Sequence, residues 1–235
     1  MKQFWLDGRS SREFGMMITG AGTYNAPERD VEFISIEGRN GDLIIDNGRF
    51  KNVPLSYPIS ICRDFPEKAA AARAWLLSKS GYMRLEDDYD PEHFRLAAFT
   101  GPLDFDVKFL NRAAEATLNF NCKPQRFLKS GEIGLDFHES GMLHNPTAFP
   151  ALPVIGISGD GPGTITVNGT SVEILRDGDY IIMLDCESQN ATVFDVSMNH
   201  VIRAAEFPVL QPGDNKITFD GGVEYLLVAP RWWTL

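Results

Sequence analysis

Apolar and polar residues alternate along this chain in short runs, each closed by glycine, proline or asparagine. That rhythm predicts many brief strands joined by tight turns. Residues 31–36 alternate, Asn40-Gly41 follows, and Leu43-Ile44-Ile45 returns. Asn-Gly suits a type I′ hairpin turn because both of its positions need positive φ. Asp46-Asn47-Gly48 reads as the next turn, and residues 55–61 as an edge or irregular strand because Pro54 and Pro58 cannot donate to a ladder. One segment breaks the rhythm. Residues 66–80 carry the strong helix signal: Pro66 at the first turn, Glu67 for the dipole and Gly81 as a left-handed stop. Ala70, Ala74 and Leu77 share one face at helical spacing, flanked by Trp75.

Strands are expected again over residues 82–85, 93–99, 103–109 and 114–121. In the third of these, Phe105, Val107 and Phe109 alternate with Asp104, Asp106 and Lys108, which predicts an inward apolar face and an outward charged one. Beyond a less regular stretch from Lys129, helical periodicity disappears. Strands are expected over 154–157, 163–167, 171–175, 180–184 and 192–196, with Asn168-Gly169 and Asp177-Gly178 as hairpin signals and Asp160-Gly-Pro-Gly163 as a turn. Near the end, Pro212-Gly213 leads into an alternating strand over 215–219. Asp220-Gly221-Gly222 is then expected to reverse the chain into a last apolar strand. The fold class is therefore mainly β. Two β-sandwich-like domains are expected: an α+β N-terminal one over residues 1–130, with one helix at about 66–80, and an antiparallel sandwich over 131–235.

Composition changes this picture little, and charge more. The chain has 235 residues and a formal net charge of −10, which disfavours nonspecific binding to nucleic acid or anionic membranes. Cys62, Cys122 and Cys186 form no CxxC pair and have no histidine at ligand spacing, so free buried thiols in a reducing cytoplasm are expected, and no metal. The N-terminus lacks a signal-peptide pattern and no apolar run reaches the length of a membrane span, so a soluble product made in the cytoplasm is expected.

Candidate chemistry is sparse. Glu86-Asp87-Asp88-Tyr89-Asp90 lacks the glycine and distal glutamate of a calcium loop and reads as a solvated loop between strands. Glu132, Asp136, His138 and Glu139 are concentrated, but glycoside hydrolysis requires two carboxyls at a set separation across a cleft. No nucleophile elbow or metal-binding histidine pair is present. No catalytic residue and no cofactor are assigned. Trp232 and Trp233, beside Arg231, are either a sugar-stacking platform or an interface, or they pin the chain end; Phe4 and Trp5 pose the same question at the other end.

Several segments, taken in order, resemble the distal tail protein (Dit) family of siphophages. They are Ile36-Glu-Gly-Arg-Asn-Gly41 before an apolar strand, Ala74-Trp-Leu76 with Ser80-Gly81 and Leu85, and Tyr89-Asp-Pro-Glu-His-Phe-Arg95. Phe120-Asn-Cys-Lys-Pro124, Asn145-Pro146-Thr-Ala148 and Pro212-Gly213-Asp214-Asn215 complete the series. The resemblance implies a non-enzymatic virion protein, assembled in the host cytoplasm and placed at the tail tip. Six copies would close into a ring by their N-terminal domains, with a galectin-like sandwich projecting outward. The ring would join the tail tube and tape measure proteins to baseplate proteins, with the genome passing through its lumen unbound. Arg39, Asn40 and Gly41 are then candidates for an assembly loop. The alternative is a carbohydrate-binding module or host-glycan adhesin. The long insertion that carries such a module in some members is absent here.

Overall fold

The protein is described by a computed structural model covering residues 2–21, 25–108, 112–176 and 178–235. Its contacts separate into two compact units, Met1–Arg126 with Leu235, and Phe127–Thr234. The fold is mainly β, with a single α-helix among the described residues.

In the first unit the strands are β1 (Phe4–Leu6), β2 (Arg9–Ser10), β3 (Met16–Ile18), β4 (Arg29–Ile34), β5 (Leu43–Phe50) and β6 (Val53–Ile61). The helix α1 (Phe65–Leu77) follows, then β7 (Met83–Asp87), β8 (His93–Phe99), β9 (Asp106–Lys108) and β10 (Ala113–Leu128). The main sheet runs β2-β1-β7-β8-β10-β6-β3. Period-two burial sets its register: Leu118 lies opposite Tyr57 and Phe120 opposite Leu55, all of them buried. Pro54 and Pro58 are tolerated in β6, although it lies inside the sheet, because β3 ladders only against Ile59–Ile61. Phe4, Tyr57 and Phe120 form the aromatic centre, with Phe4 and Tyr57 rings stacked 5.5 Å apart and Phe120 edge-on to both.

Helix α1 buries Phe65, Ala69, Ala72 and Leu76, not the face of Ala70, Ala74 and Leu77; Leu77 is 53% exposed. Phe65, ahead of the proline, is the anchor that sets the helix's rotation. The alanines at 69 and 72 let the backbone lie close to the sheet, and Trp75 stacks on Phe14 at 4.3 Å. The helix ends at Leu77, short of residue 80, because the Ser78 hydroxyl and N–H both bond back to the Trp75 carbonyl. The charged alternation near residue 105 yields only β9; Phe105 packs against the core, Val107 is exposed, and Phe109 lies outside the described residues.

The second unit contains β11 (Leu135–Phe137), β12 (Gly141–Asn145), β13 (Val154–Val167), β14 (Thr170–Ile174), β15 (Ile182–Asp185) and β16 (Asn190–Val193). β17 (Val196–Ser197), β18 (Ile202–Ala204), β19 (Gly213–Ala229) and β20 (Trp233–Thr234) complete it. Here two sequence expectations are corrected. Asp220-Gly221-Gly222 does not reverse the chain, and Asp160-Gly-Pro-Gly163 is not a free turn; both lie inside long strands that pair with each other. The β13–β19 ladder shifts register between Ser158 and Gly163 and continues on the other side. On one side of the shift β11, β15, β16 and β17 extend the sheet; on the other β12, β14 and β18 do. Ile155, Ile157, Leu226 and Val228 from the first half share one core with Ile165, Val167, Val172 and Ile217 from the second. Two bent strands thereby supply both layers of a sandwich.

Asn168-Gly169 makes the expected hairpin, both residues at positive φ between Val167 and Thr170. Asp177 lies outside the described residues; the strands flanking Asp177-Gly178 pair with other neighbours, so no hairpin forms between them. A hairpin not anticipated from sequence joins β16 to β17 through Phe194 and Asp195, both at positive φ.

Candidate assembly surface

Strands β4 and β5 form a two-stranded sheet of their own. The pairing runs Val31–Asp46, Glu32–Ile45, Phe33–Ile44 and Ile34–Leu43. Every residue from Glu32 to Arg49 is exposed, including Phe33 at 63% and Ile44 at 59%. Leu43-Ile44-Ile45 places apolar side chains on both faces of β5, as do Phe33 and Ile34 on β4. A hairpin standing alone in water is marginal, and one with two apolar faces is an association surface in waiting.

Its base is fixed electrostatically. Arg29 donates to Asp46 at 2.6 Å and Arg49 to Asp30 at 2.7 Å, and the Lys51 N–H bonds the Glu28 carbonyl at 2.8 Å. These pairs are exposed, and they orient the ribbon more than they stabilise it. Asp46-Asn47-Gly48 is no turn: it is a bulge within β5, where the Asp46 carboxylate accepts the Gly48 N–H and Gly48 takes a φ of +69°. The bulge twists the ribbon near its root.

Arg39, Asn40 and Gly41 sit in the loop at the free end of this hairpin, all exposed. The loop is not the two-residue turn expected. The last ladder pair is Ile34–Leu43, the Arg39 N–H closes a turn onto the Ile36 carbonyl at 3.1 Å, and Gly38 and Gly41, not Asn40, take positive φ. Arg39, Glu32, Glu37 and Asp42 have no ion-pair partner among the described residues. Leu43-Ile44-Ile45 reads in sequence only as a returning strand; its exposure is seen in the structure alone.

The other candidates are absorbed by the fold. Trp232 is 5% exposed and belongs to the second core. Trp233 stacks on Phe149 at 4.4 Å and donates its indole N–H to the Pro150 carbonyl at 2.9 Å. Arg231 reaches Asp185 at 2.7 Å, so the C-terminal aromatics are part of a packed chain end. Phe4 is fully buried.

The acidic run of residues 86–90 is bound internally. Arg84 pairs with Glu86, Asp87 accepts the Tyr57 hydroxyl and the Tyr89 N–H, and Asp88 accepts the Gln3 N–H. Burial pushes the Asp90 carboxyl up, but bonds from His93 at 2.7 Å and Arg126 at 3.1 Å outweigh it and hold the group below the usual range. Asp136 accepts the Tyr225 hydroxyl, whose own titration is raised by that bond, and His138 packs on the Tyr225 ring at 4.8 Å. Glu132 lies in a short 3-10 turn. Among the described residues, no three histidines, cysteines or carboxylates gather as a metal site, and no helix is long and apolar enough to cross a membrane. All three cysteines are unpaired; Cys122 and Cys186 are buried as expected, whereas Cys62 is exposed.

Sequence gave no hint of Arg176. It is fully buried, and its guanidinium donates to the carbonyls of Ile157 at 3.2 Å and Tyr180 at 2.5 Å, beside the kinked ladder. It fastens the bend to the loop before β15.

No family model matches this chain, and no curated protein does. Solved structures do. The crystal structure of the Dit protein (gp 19.1) of phage SPP1, described as a paradigm of the hub adsorption apparatus in phages infecting Gram-positive hosts, aligns over 100% of both chains. The TM-score is 0.78 at 11% identity. Chains of the phage P2 baseplate in its activated conformation, with calcium and with strontium, align over 97% of this chain and 98% of theirs, with TM-scores of 0.55 and 0.57 at 9% identity. At such identities the likeness is one of fold: from end to end, this chain has the fold of the SPP1 Dit hub protein.

Proposed function

We propose that this chain is a structural subunit of a phage tail tip, a hub in which six copies close into a ring between the tail tube and the baseplate proteins. The observation that carries this reading is the β4–β5 hairpin, an apolar ribbon with no cover among the described residues of its own subunit. Closing a ring requires two different complementary patches on one subunit, and a projecting hairpin is one such patch. The likeness in fold to a hub protein over the whole length supports the same role. In this reading the first unit makes the ring and the second docks neighbouring tail-tip components. The tape measure and tail tube proteins lie above, and the genome passes through the centre. A net charge of −10 suits a channel that lets DNA pass without adhering, since adhesion depends on neutralising phosphate. The protein then works by presenting surfaces, without turnover, in the virion tail.

Light scattering and electron microscopy of the purified chain test this. The expected species has six times the 26.2 kDa subunit mass and six-fold end views. A chain that remains monomeric at all concentrations, and that is missing from purified tails, would overturn the proposal.

A further inference from the structure

At the foot of helix α1 the first unit carries a groove of about 270 Å³ lined by Arg12, Gly15, Met17, Cys62, Arg63 and Lys68. In a chain with 32 acidic and 22 basic side chains, three cations around one groove are a local reversal of charge. No carboxylate among the described residues lines it. Lys68 is laid along Gly15, where a β-carbon would come within 2.5 Å of its Cδ, and Asp64 touches its ammonium at only 3.5 Å. Arg63 has no ion-pair partner among the described residues. The floor, by contrast, is apolar, made of Met17 and the exposed thiol of Cys62. A groove with a cationic rim and an apolar floor fits a segment that is both acidic and apolar.

The tip of the β4–β5 hairpin has that chemistry. Glu32, Glu37 and Asp42 outnumber Arg39, they are unpaired among the described residues, and Phe33, Ile34, Ile36 and Leu43 are exposed beside them. We infer that the Arg12–Arg63–Lys68 groove of one copy receives the hairpin tip of the next copy. Its cations meet the tip's carboxylates while Met17 is covered by the apolar side chains. The inference rests on the ring reading and names its second patch: hairpin and groove are different surfaces of one subunit, which is what head-to-tail closure requires.

Paired charge reversal tests this on the full chain. One variant carries Arg63→Glu with Lys68→Glu, so that groove and hairpin are both acidic; the other carries Glu37→Arg with Asp42→Arg, so that both are basic. Each alone is expected to weaken self-association about tenfold or more. An equimolar mixture should restore it, because the two variants can alternate around an even-numbered ring. Arg63, Glu37 and Asp42 are exposed and Lys68 is half-buried, and unchanged thermal unfolding of each variant checks that folding is intact. In a second arm, Glu37→Cys is treated with a short bismaleimide. A cross-link between subunits, from position 37 to Cys62, is expected, and Cys62→Ser should abolish it. If the unmodified chain forms rings but the reversals leave them intact, or the mixture fails to rescue, the groove assignment is overturned and the ring reading stands. If cross-linked head-to-tail chains form without six-fold closure, the groove assignment holds and six-fold closure does not. If neither association nor cross-link occurs at any concentration, the inference is overturned, and the ring reading is decided on tail particles.

Discussion

Gly159 lies against Gly222 where the β13–β19 ladder shifts register: a β-carbon on Gly159 would stand 1.9 Å from the Gly222 carbonyl oxygen and 2.7 Å from the Arg176 guanidinium. No side chain, not even a methyl, fits between these backbones. The bend that makes one strand pair serve two layers therefore depends on this close approach. Gly159→Ala is expected to destabilise the second unit by about 3 kcal/mol, the cost of forcing atoms into a filled site. Urea unfolding of the variant against the parent measures this, and a change below about 0.5 kcal/mol would contradict the account.

Asn215 is the polar hinge of the same unit. It is fully buried, and its amide donates to the carbonyls of Leu143, Gln211 and Gly213 while its oxygen accepts from the Gln211 N–H and the Asn168 amide. Asn215→Ala leaves these groups without a partner, with an expected loss of about 2–3 kcal/mol. Asn215→Asp keeps the acceptor but loses the donors, and should be no better tolerated.

The paired hairpin side chains Phe33 and Ile44 separate association from stability. Replacing both with serine removes exposed apolar area that supports no intramolecular core. Thermal unfolding is expected to stay within about 0.5 kcal/mol of the parent while the proposed self-association is lost in sedimentation. Loss of folding instead would mean that the hairpin stabilises its own subunit.

Thiol chemistry should distinguish the three cysteines. Cys62 is exposed, whereas burial pushes the Cys122 thiol up to about 11 and the Cys186 thiol up to about 12. At pH 8 a disulfide reagent is expected to titrate one thiol of the folded monomer quickly and the other two only on unfolding. In the proposed ring Cys62 should be protected as well.

The Asp185–Arg231 pair sets an acid limit. Burial pushes the Asp185 carboxyl up, but bonds from Arg231 and the Glu187 N–H outweigh it and hold the group below the usual carboxylate range. The folded state thus binds this proton less readily than the unfolded chain, whose carboxyl titrates near 4. The stabilisation is present above about pH 4 and disappears as pH falls through the lower folded value. Urea midpoints recorded from pH 6 to pH 2 should fall on acidification, and Asp185→Asn should flatten that slope.

Local chemistry made much of this fold legible. Alternation located β7, β8 and the start of β10; Pro66 marked the start of α1; Asn168-Gly169 formed its hairpin, because each of these signals acts over a few residues. The failures share a different origin. Asp220-Gly221-Gly222 has the composition of a turn, yet its glycines are there so that two backbones can meet at Gly161. Which face of α1 is buried depended on Phe65, a residue outside the periodic segment. The exposure of Phe33 and Ile44 could not be read from an apolar run, since such runs are normally covered.

By itself, then, the sequence determined where most of the strands and the helix form, the Asn168-Gly169 hairpin, the acidic balance, and the order of segments that resembles distal tail proteins. Tertiary structure alone decided that β13 and β19 run unbroken through their glycines, that Trp232 is interior, that Arg176 is buried against carbonyls, and that one apolar hairpin is left bare. The physical reason is range. Dihedral preference and side-chain period are properties of neighbours along the chain, whereas burial, and with it the availability of a surface for partners, depends on what the rest of the chain brings to or withholds from each residue.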